Sequence, residues 1–206
     1  MKKLIIIGAG GHGKVLCDIA EKTEKYSEIA FLDDSAEGER LGYPIIGKTA
    51  DFVKHINDTE FIVGIGSTVA RERIMRMLSD SGACIATLVH PSAVIGKDVE
   101  IGEGSVIVAG AVINPSAKIG RGCIINTHAS VDHDCIVGDL AHIAPDATVA
   151  GESRIGERTW VGAGATVSNG ITVTSDCLLG AGAVVVNSIT TPGTYIGVPA
   201  KKREEA

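Results

Sequence analysis

The sequence has few aromatic side chains, which make up 3% of its 206 residues, and its formal net charge is −6. It contains no run of basic residues, and this absence argues against a nucleic-acid partner, because such proteins concentrate lysine and arginine. The apolar run near the N-terminus, Leu4 to Ile7, is far too short to span a bilayer. We therefore expect a globular chain of one or two domains that binds neither nucleic acid nor a membrane.

Several chemical motifs are also missing. No Cys-x-x-Cys or His-x-x-x-His spacing occurs, which argues against a tetrahedral metal site. No Gly-x-Ser-x-Gly turn is present to hold a serine nucleophile. The cysteines are odd in number and form no close pair, so we expect a reducing, cytoplasmic setting rather than a disulfide framework. They are Cys17, Cys84, Cys123, Cys135 and Cys177.

An aliphatic residue recurs at every sixth position from Ile95 to Val185. A period of six is not helical, but it keeps one side chain of each hexad on the same face of a short strand. We interpret each hexad as a short strand followed by a bend, with the aliphatic side chain pointing inward. The glycine or asparagine that often follows the aliphatic is expected to permit backbone angles that bulky residues resist. One hexad cannot bury its apolar face alone, so successive coils must stack.

This pattern resembles the left-handed parallel β-helix of the hexapeptide-repeat transferases. The resemblance implies three hexads, or eighteen residues, in each coil. The span of 185 − 95 = 90 residues then gives five coils, about 24 Å tall at a strand spacing of about 4.8 Å. A β-sandwich with coincidental spacing is the alternative, and the unbroken series of aliphatic residues argues against it.

The chain before the repeat alternates strands with helices. Strands are predicted at Leu4–Ile7, Ile29–Leu32, Phe61–Gly66 and Cys84–Val89, with one helix after the glycine turn and another from about Thr68 to Leu78. This alternation predicts a small parallel sheet. The predicted organisation is an α/β half-Rossmann domain over residues 1–86. An all-β left-handed parallel β-helix with a C-terminal tail follows over residues 87–206.

The glycine turn predicts a nucleotide site. Gly8, Gly10 and Gly13, with Asp33 twenty residues past Gly13, fit the dinucleotide fingerprint. A dinucleotide usually needs two mononucleotide-binding halves, and this domain supplies one. We therefore favour a nucleotide sugar over NAD, with its diphosphate at the helix N-terminus. The alternative is a turn that only packs helix against strand.

His133 is the strongest catalytic candidate among the six histidines. Residues eighteen apart stack in an eighteen-residue coil, so Gly151 is expected beside His133 and would leave open space for a ligand. Asp134 follows directly and is able to hold the imidazole in one tautomer and raise its basicity. A histidine in a β-helix is more often structural, but the run from Asp132 to Asp134 opposite a glycine favours catalysis here.

Four features together resemble the sugar O-/N-acyltransferases of the NeuD/PglD type, over essentially the whole chain. They are the turn Gly10–Gly13, the pair Asp33-Asp34, the run Val131–Cys135 within the hexad repeat, and the tail Gly197–Lys201. The resemblance implies acetyl-CoA-dependent N-acetylation of the 4-amino group of a nucleotide-linked 4-amino-4,6-dideoxysugar, with UDP as the favoured nucleotide. Sialic acid O-acetylation is the alternative. A non-catalytic nucleotide-binding β-helix protein is the alternative of another class.

The same resemblance assigns roles to residues. His133 is expected to be the general base and Asp134 to orient it, where the best-known relatives carry glutamate. The residues expected to contact acetyl-CoA are His142, Gly151, Ala163 and Ala181. Those expected to contact the nucleotide sugar are Gly11, His12, Gly13, Asp33, Asp34 and Gly66.

The resemblance further implies how the acyl group is handled. A backbone N–H at Gly151 or Ala181 is expected to stabilise the tetrahedral oxyanion. Lys201, Lys202 and Arg203 are expected either to face the phosphates of coenzyme A or to lie in solvent. The implied assembly is a homotrimer with acetyl-CoA in the cleft between adjacent solenoids.

Overall fold

The computed structural model describes residues 2–203. The first residue of the predicted N-terminal domain and the last three of the predicted C-terminal domain, residues 204–206, lie outside this range. The chain divides into two compact units, Met1–Pro91 and Ser92–Ala206, whereas the sequence analysis set the boundary after residue 86. Within the described range, no helix has the length and apolarity needed to cross a membrane.

The N-terminal unit is built on a parallel four-stranded sheet in the order β2-β1-β5-β6. Its elements are β1 (Lys2–Ile7), α1 (Gly11–Lys22), β2 (Tyr26–Leu32), β3 (Glu39–Arg40), β4 (Tyr43–Pro44), a 3-10 helix (Thr49–His55), β5 (Thr59–Val63), α2 (Thr68–Asp80), β6 (Cys84–Ile85) and β7 (Leu88–Val89). The apolar runs of β1, β2 and β5 are buried, as expected for strands covered on both faces. The predicted small parallel sheet with intervening helices is confirmed.

The predicted strands are wrong in extent: β1 and β2 begin earlier, at Lys2 and Tyr26, and the other two differ as follows. β5 ends at Val63 rather than Gly66, because the next carbonyls leave the sheet. The oxygens of Ile65 and Gly66 accept hydrogen bonds from the guanidinium of Arg71 on α2, at 3.3 and 2.9 Å. The predicted strand Cys84–Val89 is two short strands, since the last bond to β5 is made by the N–H of Ala86.

The C-terminal unit is a parallel β-helix. Its strands are β8 (Val94–Ile95), β9 (Glu100–Ile101), β10 (Val106–Ile107), β11 (Val112–Ile113), β12 (Lys118–Ile119), β13 (Ile124–Ile125), β14 (Ser130–Val131), β15 (Ile136–Val137), β16 (His142–Ile143), β17 (Thr148–Val149), β18 (Arg154–Ile155), β19 (Trp160–Val161), β20 (Thr166–Val167), β21 (Thr172–Val173), β22 (Cys177–Leu179), β23 (Val184–Val185), β24 (Gly193–Ile196) and β25 (Lys201–Lys202). Ile113 pairs with Ile95 below it and Val131 above it, eighteen residues away in each direction. The predicted coil of three hexads is therefore confirmed.

Three sheets form the faces of the β-helix. One contains β8-β11-β14-β17-β20-β23, a second β9-β12-β15-β18-β21, and the third β10-β13-β16-β19-β22-β24 with β25 at its edge. The inward aliphatic side chains from Ile107 to Val185 are buried, and each contributes about 1.5–3 kcal/mol. The chain adds one rung beyond the predicted five coils, because β24 pairs in parallel with β22.

The interpretation of the glycines that follow the aliphatic residues is wrong. Positive φ occurs three residues after each aliphatic, at every sixth residue from Asp98 to Gly182, and none of these glycines adopts it. They are required because the coils approach one another closely. A Cβ on Gly138 would lie 2.7 Å from the backbone nitrogen of Glu157 on the next coil.

Candidate active site

His133 lies at the corner that follows β14, with its side chain half exposed. Its Nδ1 lies 2.9 Å from Oδ2 of Asp134. Because a carboxylate oxygen accepts, Nδ1 carries the proton and Nε2 keeps the lone pair of a base. This hydrogen bond raises the pKa of His133, and the charges of Asp132, Asp134 and Glu152 raise it further, against a smaller opposing effect of desolvation. The imidazole is therefore a stronger base than a free histidine.

Asp134 occupies the left-handed corner position, with φ of 58°. Aspartate tolerates this region better than most residues. Its carboxylate reaches the imidazole directly, although its side chain is one methylene shorter than the glutamate expected from the resemblance.

Gly151 stacks on His133, but the space beside it is not open for a ligand as expected. A Cβ at residue 151 would lie 2.7 Å from Nε2 and 2.8 Å from Cε1 of His133. The imidazole itself therefore occupies the volume that a side chain would take. Glycine at this position allows the ring to stand with Nε2 against the backbone of the next coil.

His142 lies on β16 and is buried. Its ring packs against Trp160 of β19, with centroids 4.3 Å apart, and its Nε2 lies 3.1 Å from Nδ2 of Asn126. The Oδ1 of Asn126 accepts from the N–H of Thr127 at 2.8 Å, so the amide nitrogen faces the imidazole. Nε2 of His142 therefore accepts, and the proton of the neutral ring is on Nδ1.

Ala163 and Ala181 are exposed at corners that follow β19 and β22, one coil apart. The N–H of Gly182 donates to the carbonyl of Ala163 at 2.8 Å and links the two corners. Within residues 2–203 the N–H groups of Ala163 and Ala181 have no hydrogen-bond acceptor. The N–H of Gly151 likewise makes no close hydrogen bond within these residues. Both expected oxyanion donors, Gly151 and Ala181, are therefore available.

The structure places these residues at two different edges of the solenoid. His133 and Gly151 follow the sheet that contains β14 and β17, whereas Ala163 and Ala181 follow the sheet that contains β19 and β22. One face of the solenoid lies between the two edges, and six residues at about 3.3 Å each span roughly 20 Å. A single chain therefore does not bring His133 next to Ala163 or Ala181.

The residues predicted for the nucleotide lie at the carboxyl ends of β1, β2 and β5, where ligands of parallel sheets bind. A Cβ on Gly13 would overlap the carbonyl oxygen of Gly8, so Gly13 is a packing glycine. Gly10, Gly11 and Gly66 have no atom within 4 Å of an added Cβ. Packing does not explain these three, and they leave the backbone open to a ligand.

The carboxylate of Asp33 accepts hydrogen bonds from backbone N–H groups of the N-terminal unit. Oδ2 accepts from the N–H of Ala9 at 2.7 Å, and Oδ1 accepts from the N–H groups of Ser35 and Ala36, both at 2.8 Å. Partial burial alone would raise the pKa of Asp33, but these donors and the Ser35 hydroxyl together lower it to about 2. The neighbouring Asp34 is exposed and accepts through Oδ1 from the N–H of Thr49 at 2.8 Å.

We expect Asp33→Asn to destabilise the N-terminal unit at neutral pH. The folded pKa of about 2 lies below the ordinary aspartate pKa of 3.8, so the carboxylate contributes about 2 kcal/mol above pH 4. This contribution is lost as the pH falls towards 2. Urea unfolding at pH 7 and at pH 2.5 measures it, and the difference between wild type and variant should shrink at the lower pH. Asp58→Asn, at an exposed residue of the same unit, serves as the control, and an equal loss at both pH values would contradict the assignment.

His12 lies in the first turn of α1 and faces a buried cation. Burial and the charge of Arg71 lower the pKa of His12 to about 4, so the ring is neutral at pH 7. Its Nε2 is buried and makes no hydrogen bond within residues 2–203. Arg71 is 1% exposed and was missed as a site residue. The available signal was an arginine on the apolar helix face shared with Ile74, Met75 and Leu78.

No group of three or more metal-ligating side chains occurs within residues 2–203. Two family models match the sequence. The PglD N-terminal domain matches residues 3–78, and the bacterial transferase hexapeptide (six repeats) matches residues 116–151. They fall on the N-terminal unit and on the β-helix respectively.

Solved structures match nearly the whole chain. The acetyltransferase domain of PglB from Neisseria gonorrhoeae FA1090 is 38% identical with a TM-score of 0.96, covering 98% of this chain and 100% of that one. Its complex with acetyl coenzyme A is also similar, at 39% identity and a TM-score of 0.95, covering 98% and 99%. A histidine-to-asparagine variant of perosamine N-acetyltransferase from Caulobacter crescentus, in complex with CoA and GDP-perosamine, is 35% identical with a TM-score of 0.94. It covers 100% of this chain and 98% of that one.

A curated relative is the UDP-N-acetylbacillosamine N-acetyltransferase of Bacillus subtilis (strain 168). It is 37% identical over 113 residues, which cover 53% of this chain and 52% of that protein. The match thus spans about half the length of that relative.

Proposed function

The chain belongs to the NeuD/PglD-type sugar acyltransferases of the hexapeptide-repeat superfamily, and from this membership we propose its reaction. It transfers an acetyl group from acetyl-CoA to the 4-amino group of a nucleotide-linked 4-amino-4,6-dideoxysugar. The observation that carries this proposal is the exposed pair of His133 and Asp134, with Nε2 available as a base. The likeness to a domain solved with acetyl coenzyme A supports it.

The reaction is a direct transfer. The sugar amine attacks the thioester carbonyl carbon while Nε2 of His133 takes a proton from the nitrogen. The N–C bond forms, the C–S bond breaks, and the leaving thiolate of coenzyme A receives the proton from the imidazolium. Asp134 holds the Nδ1 proton throughout and stabilises the charged ring. An N–H such as that of Ala181 stabilises the oxyanion.

The N-terminal unit is proposed to bind the nucleotide. The open glycines Gly10 and Gly11 lie at the N-terminus of α1, where backbone N–H groups and the helix dipole favour a diphosphate. The neutral ring of His12 supplies a polar atom beside them. UDP is the proposed nucleotide, supported by the curated relative, although the perosamine enzyme was solved with a GDP-sugar.

An acceptor screen tests the function. Thiol release from acetyl-CoA is followed with UDP-, GDP- and dTDP-linked 4-amino sugars and with sialic acid, and the highest kcat/KM is expected for a UDP-linked amino sugar. Turnover with sialic acid alone would favour O-acetylation. The absence of any calorimetric response to coenzyme A would favour a non-catalytic nucleotide-binding protein.

We also propose that the chain acts as a homotrimer in the cytoplasm. Because His133 and Ala181 lie at different edges of one solenoid, a neighbouring copy is needed to complete the site. Trp160 and Leu178, paired on β19 and β22, are both exposed apolar residues and suit such a contact. The five cysteines are free thiols, which suits a reducing compartment.

Mixed trimers are expected to regain activity from two inactive chains. His133→Ala removes the base and Ala181→Trp blocks the other edge. If each site takes His133 from one copy and Ala181 from the next, random mixing makes about one site in four intact. Thiol release by the co-expressed, co-purified variants measures this. Activity no higher than that of the two separate variants would contradict a shared site.

A further inference from the structure

The side chain of Asp132 joins two consecutive coils beside His133. Asp132 follows Val131 of β14 directly, and its Oδ1 accepts from the backbone N–H of His133 at 2.8 Å. The same oxygen accepts from Nδ2 of Asn114, one coil below, at 2.7 Å. These two bonds are the main causes of the lowered pKa of Asp132. One carboxylate oxygen therefore joins the backbone of His133 to the coil below.

This edge of the solenoid is built differently from its neighbour. At the place that follows the inward aliphatic, the neighbouring edge has glycine in four successive coils, Gly102, Gly120, Gly138 and Gly156. The His133 edge has Gly96, Asn114, Asp132, Ala150 and Ser168 at the same place. Polar side chains thus replace the packing glycine in the coil of the candidate base and in the coil below it.

We propose that Asp132, held by Asn114, is a positioning residue for the acetyl transfer: it fixes the backbone of His133 against Gly151 and sets the charge beside the imidazole. The inference rests on the proposed function, in which His133 is the base.

The charged groups that act on His133 are Asp134, Asp132 and Glu152, and all three are acidic. Asp134 bonds the imidazole directly, whereas Asp132 bonds the backbone. Removal of the Asp132 charge should therefore lower the pKa of His133 while the bond to Asp134 remains. An amide oxygen is also a weaker acceptor than a charged carboxylate oxygen, so the bonds from Asn114 and from the N–H of His133 are weakened.

The test is Asp132→Asn, assayed in two ways. Titration of the His133 ring by NMR in the unliganded protein should give a lower pKa than in wild type. In the pH profile of kcat/KM, the acid limb should move to lower pH, because the base becomes neutral at lower pH. We expect kcat to fall about ten- to a hundredfold from misplacement of the ring, with both KM values within about twofold.

Asp139→Asn is the matched control. Asp139 is also half-buried and its Oδ1 also accepts a corner N–H, that of Arg121 at 2.8 Å, but at another edge. It should change neither the His133 titration nor the pH profile. Asn114→Ala keeps the charge of Asp132 and removes the hydrogen bond from Asn114, so it should lower kcat more than the control does. This variant also tests the inference if Asp132→Asn does not fold.

Either of two results would overturn the inference. One is an unchanged pKa of His133 in Asp132→Asn. The other is a loss of kcat in Asp132→Asn and Asn114→Ala that is no larger than in Asp139→Asn. The NMR result does not depend on catalysis. If His133→Asn left turnover intact, the proposed function would fail, while a shifted titration would still place the Asp132 charge beside the ring.

Discussion

Replacement of His133 by asparagine is expected to lower kcat about 10²- to 10⁴-fold, the usual contribution of a general base. Asparagine has a similar size and polarity but cannot take a proton from the sugar amine. Because Nδ1 is bonded to Asp134, only Nε2 is available as the base. KM for both substrates should stay nearly constant, since the lost interaction belongs to the transition state. Thiol release from acetyl-CoA with a saturating amino-sugar acceptor measures the change.

His128→Asn is the control for this experiment. His128 is also an exposed corner histidine of the β-helix, with Asp146 at 3.7 Å from its Nδ1, and has no role in the proposed reaction. Its replacement should leave kcat within about twofold. Retention of more than about a tenth of the wild-type kcat by His133→Asn would remove this residue from the mechanism.

A methyl group at residue 151 is expected to abolish most activity without unfolding the protein. The Cβ of Gly151→Ala would lie 2.7 Å from Nε2 of His133, and a side chain can rotate away from such a collision. Rotation of the ring breaks its hydrogen bond to Asp134 and displaces Nε2 from its catalytic position. Misplacement of a catalytic group by about 1 Å costs about 10²-fold, so we expect a loss of kcat of this order with Tm nearly unchanged.

Gly138→Ala provides the matched contrast. Its Cβ would also lie 2.7 Å from a nitrogen, but that nitrogen belongs to the backbone of Glu157 and cannot move without separating the coils. This variant should lose about 2 kcal/mol or more of stability, measured by urea unfolding. Its remaining folded fraction should keep normal kcat. Loss of stability in Gly151→Ala with normal kcat would contradict our view of the His133–Gly151 contact.

The coil of the β-helix was predictable because its cause is local. Each inward aliphatic from Ile107 to Val185 is buried by its own hexad and the coils next to it, so a six-residue period in the sequence reports the fold directly. The same period placed Gly151 beside His133 without coordinates. The parallel sheet of the N-terminal unit followed from the buried runs of β1, β2 and β5.

The features that could not be predicted from the sequence depend on contacts made by backbone groups. The glycines after the aliphatics match a turn signal, but Gly138 is there because the next coil is too close for a Cβ. The side chain of Asp33 matches a ribose ligand, but its oxygens bond the N–H groups of its own unit. Arginine is usually exposed, so the burial of Arg71 was indicated only by its helical spacing with Ile74, Met75 and Leu78.

The position of the acceptor amine tests the central claim most directly. A crystal structure of the protein with coenzyme A and a UDP-linked 4-amino sugar measures the distance from the sugar nitrogen to Nε2 of His133. We predict a hydrogen-bond distance of about 3 Å, with the sulfur of coenzyme A close to the same nitrogen. An amine bound out of reach of this imidazole, with another side chain in its place, would contradict the account.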